Sequence, residues 1–394
     1  MKKLNFKVPF SGVGAKYSEE EKAAVLNAMD TSTTYTQGPK QDLFQDKFAS
    51  YTGTKYAFAT SSAATALELS AILLDLKPGD EVICPAHTYC ASAYPFAKYG
   101  ANIVWADINP DTWVIDENII ANLITENTKA IIAVHLYGLP APMPEIIDLV
   151  KNKNIIVIED CAQAIGATIE GKQVGSFGDV GVFSFQSHKN ISTLGEGGMI
   201  CLNNDKWAKV LPGLRHNGHA PYPSDREHYW KPAMNNVDFD LDGVWPNNFC
   251  IGEVQCALGV SMLPRIDKLN NDRRSRFYEF KEEFLSCKEM KFQSIPETYL
   301  STHHLLPFQF KSQKMTSDDL IKILAFDYGI QAIVQYYPLN RYPLFQKAGF
   351  GYASVPETDN FFDNMVSLPF HHWLSDDDFK YIISSLKKIT TNNN

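Results

Sequence analysis

From about residue 56 the chain alternates short apolar runs with longer amphipathic ones. The short runs predict strands at Tyr56–Thr60, Glu81–Pro85, Asn102–Asp107, Ala130–Leu136, Ile155–Asp160, Val180–Phe185 and Gly198–Leu202. Between them, Ala64–Leu74, Glu117–Ile124 and Met143–Lys151 carry helical spacing. Strands apolar on both faces and separated by helices predict a mostly parallel seven-stranded sheet between helices, an α/β architecture. Upstream, Ser18 followed by Glu19, Glu20 and Glu21 reads as a capping box that opens a helix. Past Pro264 a charged helix, Arg265–Phe284, leads into a smaller α/β portion ending near Ile389. The expected organisation is a large domain over 1–262 and a small C-terminal domain over 263–394. The large one would include the N-terminal segment and an insertion at 218–248. That insertion breaks the rhythm: it is rich in Pro, Asn, Asp and aromatics, too long for a plain connection and too aromatic for disorder. It reads either as a functional loop or as a surface elaboration.

A length of 394 residues suits two cores of unequal size. The net charge of −9 argues against nucleic acid or an anionic membrane held by broad electrostatics. The opening MKKLNFKVPFSGVG has no continuous apolar run, so no secretory signal is expected, and no apolar stretch reaches membrane-spanning length. Seven scattered cysteines without a CxxC pair signal neither a disulfide framework nor a metal site. A reducing, cytoplasmic setting is the expectation.

The chemistry concentrates in Val182–Gly198, where a strand carries Ser184 and Phe185, a turn presents Lys189, and Gly195-Glu196-Gly197-Gly198 leads into the next strand. A lysine beside a buried strand is costly while charged and unpaired. It becomes useful when its pKa falls and the amine attacks an aldehyde. Asp160 closes a buried strand, where open α/β sheets bind ligands. A carboxylate there suits the ring nitrogen of pyridoxal phosphate, and Gln163 could donate to the ring oxygen. Ser61-Ser62-Ala63-Ala64 opens a helix whose free N–H groups suit a phosphate, and Tyr89 at another strand end could stack on a ring. Taken singly, each feature has a plainer reading: a surface lysine, a helix-capping aspartate, ordinary N-caps, a core aromatic.

Together, Ser184-Phe185, Lys189 and Gly195–Gly198, with Val134–Gly138 (VHLYG) and Glu159–Gln163, resemble the DegT/DnrJ/EryC1/StrS sugar aminotransferases. These use pyridoxal phosphate on the aspartate-aminotransferase-like fold (fold type I). The resemblance runs from Thr36-Gln37-Gly38-Pro39 to Ser367-Leu368-Pro369. It implies that Lys189 forms the Schiff base and acts as general base, with Asp160 on the ring nitrogen, Gln163 on the ring oxygen and Tyr89 over the ring. Ser184 and the amides of Ala63 and Ala64 would hold the phosphate. The family often has Gly-Thr at 63–64, so a threonine contact is missing here. Asn248 matches a phosphate-binding asparagine given by the partner subunit, which implies a homodimer with sites at its interface. An arginine common two residues later is Cys250 here, implying a changed contact near the substrate.

The implied reaction takes an amino group from L-glutamate and delivers it to a keto-sugar. A related branch that removes a sugar hydroxyl has histidine in place of the lysine; here Lys189 is intact and His188 merely precedes it. An intact lysine, aspartate and glutamine also argue against a regulator that only binds the cofactor, and no cysteine lies in a glycine-flanked loop as a sulfur enzyme would need. The usual acceptors are nucleotide-linked 3- or 4-keto-hexoses. Across its length the chain most resembles the branch that aminates C8 of an oxidised 3-deoxy-octulosonate, giving the 8-amino sugar Kdo8N of some lipopolysaccharides. That acceptor carries a carboxylate, for which Arg215, Arg226 or Lys231 are candidate partners, with His228, Tyr229 and Trp230 beside them. His216 either lines the pocket or satisfies a loop carbonyl.

Overall fold

The computed structural model describes residues 5–219 and 240–391. Seven strands form the main sheet: β1 (Tyr56–Thr60), β2 (Glu81–Pro85), β3 (Asn102–Ala106), β4 (Thr128–Val134), β5 (Ile156–Asp160), β6 (Val180–Ser184) and β7 (Gly198–Leu202). Their order is β1-β7-β6-β5-β4-β2-β3. Neighbours from β6 to β3 are parallel, while β7 runs antiparallel to both β6 and β1. Each strand lies within two residues of its predicted bounds. The largest offset, in β4, has a local cause. The chain leaves the sheet after Val134 into a tight turn in which Tyr137 (φ 60°) and Gly138 (φ 99°) are both left-handed.

Helices α1 (Glu19–Thr31), α2 (Pro39–Thr52), α3 (Ala63–Leu73) and α4 (Glu253–Met262) cover this sheet. The Ser18–Glu21 capping box forms as expected. One face of the sheet buries Ile132, Ile158 and Val180, in one cluster with Leu67 of α3. The other buries Phe44, Phe48, Phe183 and Phe185, with Phe48 and Phe183 edge to face at 4.9 Å. The buried Glu253 carboxylate, at the start of α4, accepts the backbone N–H groups of Gly38, Lys40 and Gln41 at 2.9–3.1 Å. It thereby serves as the N-cap that Gly38 cannot supply for α2.

Beyond α5 (Ile266–Glu283), a second sheet of three antiparallel strands forms from β8 (Met290–Lys291), β9 (Leu306–Phe310) and β10 (Met365–Leu368). Its core gathers Phe280, Phe308, Leu324, Ile382 and Leu386, and also Val8, which bridges to Ile330. From Val8 the chain runs to the lysine turn, where Gly14 N–H donates to the Ser187 carbonyl at 2.8 Å. Fully buried Arg273 clamps these segments. Its guanidinium donates to the carbonyls of His304, Phe370 and Gly14 at 3.0–3.2 Å, and burial lowers its pKa to about 10. None of the described helices is long and apolar enough to cross a membrane.

Candidate active site

The C-terminal ends of β5 and β6 and the loop after β2 open into a cavity of about 770 Å³. Ala63, Ala64, Tyr89, Asp160, Gln163, Ser184 and Lys189 all line it, so the fold gathers seven of the eight sequence candidates from a span of more than a hundred residues. Asn248 does not line it; that residue bridges to His216, next to the highly exposed Trp245.

Local structure gives each lining group a free valence. Asp160 is buried; one oxygen accepts the Ala162 N–H at 3.1 Å and the other a proton from Ser92 Oγ at 2.7 Å. Gln163 Oε1 accepts the Tyr137 N–H at 2.9 Å, delivered by the left-handed turn after β4. That bond fixes the amide orientation and leaves its NH₂ as a donor toward the cavity. At α3, Ser62 and Thr65 close a capping box that uses the Thr65 N–H. The Ala63 and Ala64 amides precede it and lie beyond the reach of intrahelical bonding, so they stay open to an anion. Directly beneath, β7 passes so close that a Cβ on Gly198 would sit 2.3 Å from the Ser62 carbonyl carbon and 2.5 Å from the Ala63 nitrogen. The last glycine of the Gly195–Gly198 run is thus required by the approach of a strand to a helix terminus.

Lys189 is half-buried, and among the described residues its amine has no hydrogen bond or ion pair; desolvation lowers its pKa to about 8 against the attraction of Asp160 and Glu196. An unfolded lysine stays charged to about pH 10.4. The burial penalty is therefore complete below pH 8 and vanishes above about pH 10.5. We expect Lys189→Met to stabilise the cofactor-free protein by roughly 3 kcal/mol at pH 7, with the advantage shrinking as pH rises from 8. Urea unfolding at several pH values measures this; a gap that does not change with pH would mean the amine is already solvated.

Four further residues line the cavity that the sequence reading did not single out: Glu196, His304, Gln335 and Tyr336. His304 Nδ1 lies 3.1 Å from Asn190 Oδ1, and since that oxygen can only accept, Nδ1 carries the proton. Burial, then Lys189, push the His304 pKa well below its ordinary value, so the ring is neutral. Its position beside a second histidine at the start of β9 was the only sequence signal. Arg215 lies elsewhere. Its guanidinium is buried and donates to Gln45 Oε1 and the Ala59 carbonyl, so it braces β1 and faces no substrate. His216 is also outside the cavity, against His219 at 5.2 Å. Arg226, His228, Tyr229, Trp230 and Lys231 lie outside the described residues. His135, Glu159 and Cys161 cluster closely enough to hold a metal ion. However, the Glu159 oxygens are occupied by the N–H groups of Gly175, Phe177 and Gly178 and by His135, whose other nitrogen accepts from Ala141. The cluster is a brace under β5.

A desolvated, unpaired amine sharing one cavity with a carboxylate, an outward amide and an open helix N-terminus is the arrangement of a pyridoxal-phosphate enzyme. Residues 16–387 match the DegT/DnrJ/EryC1/StrS aminotransferase family, and the chain belongs to it. It is 33% identical over 375 residues to GDP-perosamine synthase of Caulobacter vibrioides, covering 94% of this chain and 95% of that one. It is 30% identical to the UDP-N-acetyl-3-dehydro-alpha-D-glucosamine 3-aminotransferase of Acidithiobacillus ferrooxidans, covering 90% of each. Among solved structures, the sugar aminotransferase Spr1654 of Streptococcus pneumoniae in its PMP form superposes with a TM-score of 0.86 at 28% identity, over 98% of this chain and all of that one. The protein is a pyridoxal-phosphate-dependent sugar aminotransferase.

Proposed function

We propose that the chain moves the amino group of L-glutamate onto a keto-sugar, with Lys189 as the residue that holds the cofactor and shuttles the proton. The observation that carries this is the desolvated Lys189 amine, held without a partner in the cavity that Asp160 also lines. Bound pyridoxal phosphate supplies the electron sink into which a carbanion at the donor's α-carbon delocalises. Asp160 would hold the ring nitrogen, the Gln163 NH₂ the ring oxygen, and Tyr89 the ring face. Ser184 Oγ and the amides of Ala63 and Ala64 would bind the phosphate, joined by Asn248 of a second copy. The 89% exposure of Trp245, three residues before Asn248, supports a homodimer with sites at its interface. Once displaced by the donor, the Lys189 amine would take the α-proton and return it to the carbon on the other side of the amino nitrogen. In the second half-reaction it runs the same transfer in reverse.

For the acceptor we favour a nucleotide-linked keto-hexose, because the named relatives act on GDP- and UDP-sugars. The octulosonate that would give the 8-amino sugar needs a cation for its carboxylate. Among the described residues, the only lysine or arginine lining the cavity is Lys189 itself. Cys250, in place of the family's usual arginine, keeps the octulosonate as the second reading. The test is a visible spectrum of the loaded enzyme with and without L-glutamate, then a panel of keto-sugars with and without a nucleotide. Glutamate should bleach the visible band, and one acceptor class should restore it. A loaded protein indifferent to glutamate overturns the donor assignment; restoration by the free octulosonate alone overturns the nucleotide preference.

A further inference from the structure

The cavity wall at Asp160 continues into the protein through two hydroxyls. Ser92 Oγ donates to Asp160 Oδ2 at 2.7 Å, and Thr88 Oγ1 lies 2.9 Å behind Ser92 Oγ. Ser92 is 0% exposed and lies behind the cavity wall, while Thr88, 1% exposed, is part of that wall. A serine has one proton to give. Because Ser92 spends it on the carboxylate, the proton between the two hydroxyls comes from Thr88, and the chain has one direction: Thr88 to Ser92 to Asp160. The backbone builds this deliberately. Ser92 N–H donates to the Tyr89 carbonyl at 3.0 Å, closing a short turn after β2. That turn leaves Tyr89 59% exposed on the cavity wall beside Thr88, while the Ser92 hydroxyl joins Thr88 to Asp160.

We propose that Ser92, oriented by Thr88, is the positioning residue for Asp160, fixing the carboxylate that faces the cofactor ring. The inference rests on the function proposed above. A hydroxyl donating to a carboxylate favours its ionised form, and successive hydroxyls polarise one another. One oxygen of Asp160 is thereby held at two bonds' remove from solvent, with its rotation about the side chain blocked by Ala162 N–H on the other oxygen. The ring nitrogen would meet a carboxylate already aimed.

The experiment compares Ser92→Ala, Ser92→Thr and Thr88→Val in four measurements. These are thermal stability of the cofactor-free protein, pyridoxal phosphate affinity by spectroscopic titration, the pH at which the visible band of the loaded enzyme titrates, and kcat against KM. For Ser92→Ala we expect affinity and kcat to fall about tenfold to hundredfold, as for other outer-shell partners. KM for the sugar should stay within about twofold. The visible band should titrate at higher pH, because a carboxylate free to turn meets the ring nitrogen less squarely and leaves the ring a poorer electron sink. Ser92→Thr keeps the donor and should restore most of the loss. Thr88→Val keeps the volume and should lose about threefold. An unmoved band and wild-type affinity in Ser92→Ala overturn the proposal. So does Thr88→Val matching wild type while Ser92→Ala loses affinity only in proportion to its stability, which would make the pair mere packing. Wild-type protein that takes up no pyridoxal phosphate overturns the proposed function and this inference with it, an outcome visible before any variant is made.

Discussion

Lys189→Ala should lower turnover at least about 10⁴-fold, because it removes both the cofactor's covalent anchor and the proton carrier. Lys189→Arg should be nearly as inactive. A guanidinium cannot shed its proton near neutral pH, so it neither attacks an aldehyde nor accepts a proton from carbon. Lys189→Ala should not fail by unfolding, since desolvation of the Lys189 amine opposes folding below pH 8. The measurement is single-turnover bleaching of the loaded enzyme with L-glutamate, alongside the thermal midpoint. Wild-type bleaching by a stably folded Lys189→Ala would remove the lysine from the chemistry altogether.

The largest stability loss should come from Glu159→Ala. Its Oε1 accepts from Phe177 N and Gly178 N, both at 2.7 Å, and its Oε2 from Gly175 N at 2.8 Å, with His135 Nε2 at 3.1 Å. The residue is 0% exposed, so truncation strands four donors without water. Removing one partner from such a buried network costs about 3–5 kcal/mol. Glu159→Gln should recover only part of this, since the amide's NH₂ would confront two donors on the Oε2 side. Urea unfolding of both variants checks the prediction; a midpoint for Glu159→Ala close to wild type would mean that this brace contributes nothing net.

The alternation of apolar runs carried most of the large sheet because its strands are buried on both faces, which leaves a plain signal of five to seven residues each. Direction was not written there. β7 runs against its neighbours, and Gly198–Leu202 looks as apolar as any parallel strand. The two-residue pairs Thr168–Ile169, Lys172–Gln173 and Tyr299–Leu300, which join into a further small sheet, are too short for any periodicity to register. At the site, Lys189, Asp160 and Gln163 stood out because strand ends and glycine runs frame them locally. His304 and Tyr336 did not, because they reach the cavity through packing between distant segments. Arg215 misled for a related reason: it reads as a candidate partner for a carboxylate, yet the last turn of its helix points it inward against Ala59. The Glu159–Asp160 pair shows the same limit. Two adjacent acids read alike in sequence, and only strand pleating separates the brace from the group that faces the cavity.

The pairing of β1 with β7 also sets an order of events during folding. Phe58 meets Ile200, and Thr60 meets Gly198, across about 140 residues of intervening chain. Contacts that distant form late, after the entropy of the enclosed loop has been lost. The open amides of Ala63 and Ala64 rest directly on Gly198, so the anion cradle does not exist until that last strand has inserted. Pyridoxal phosphate held on these amides should therefore stabilise the sheet with β7 in place. Supplied during refolding, it should leave the rate of the early phases untouched and slow only the reverse step, unfolding.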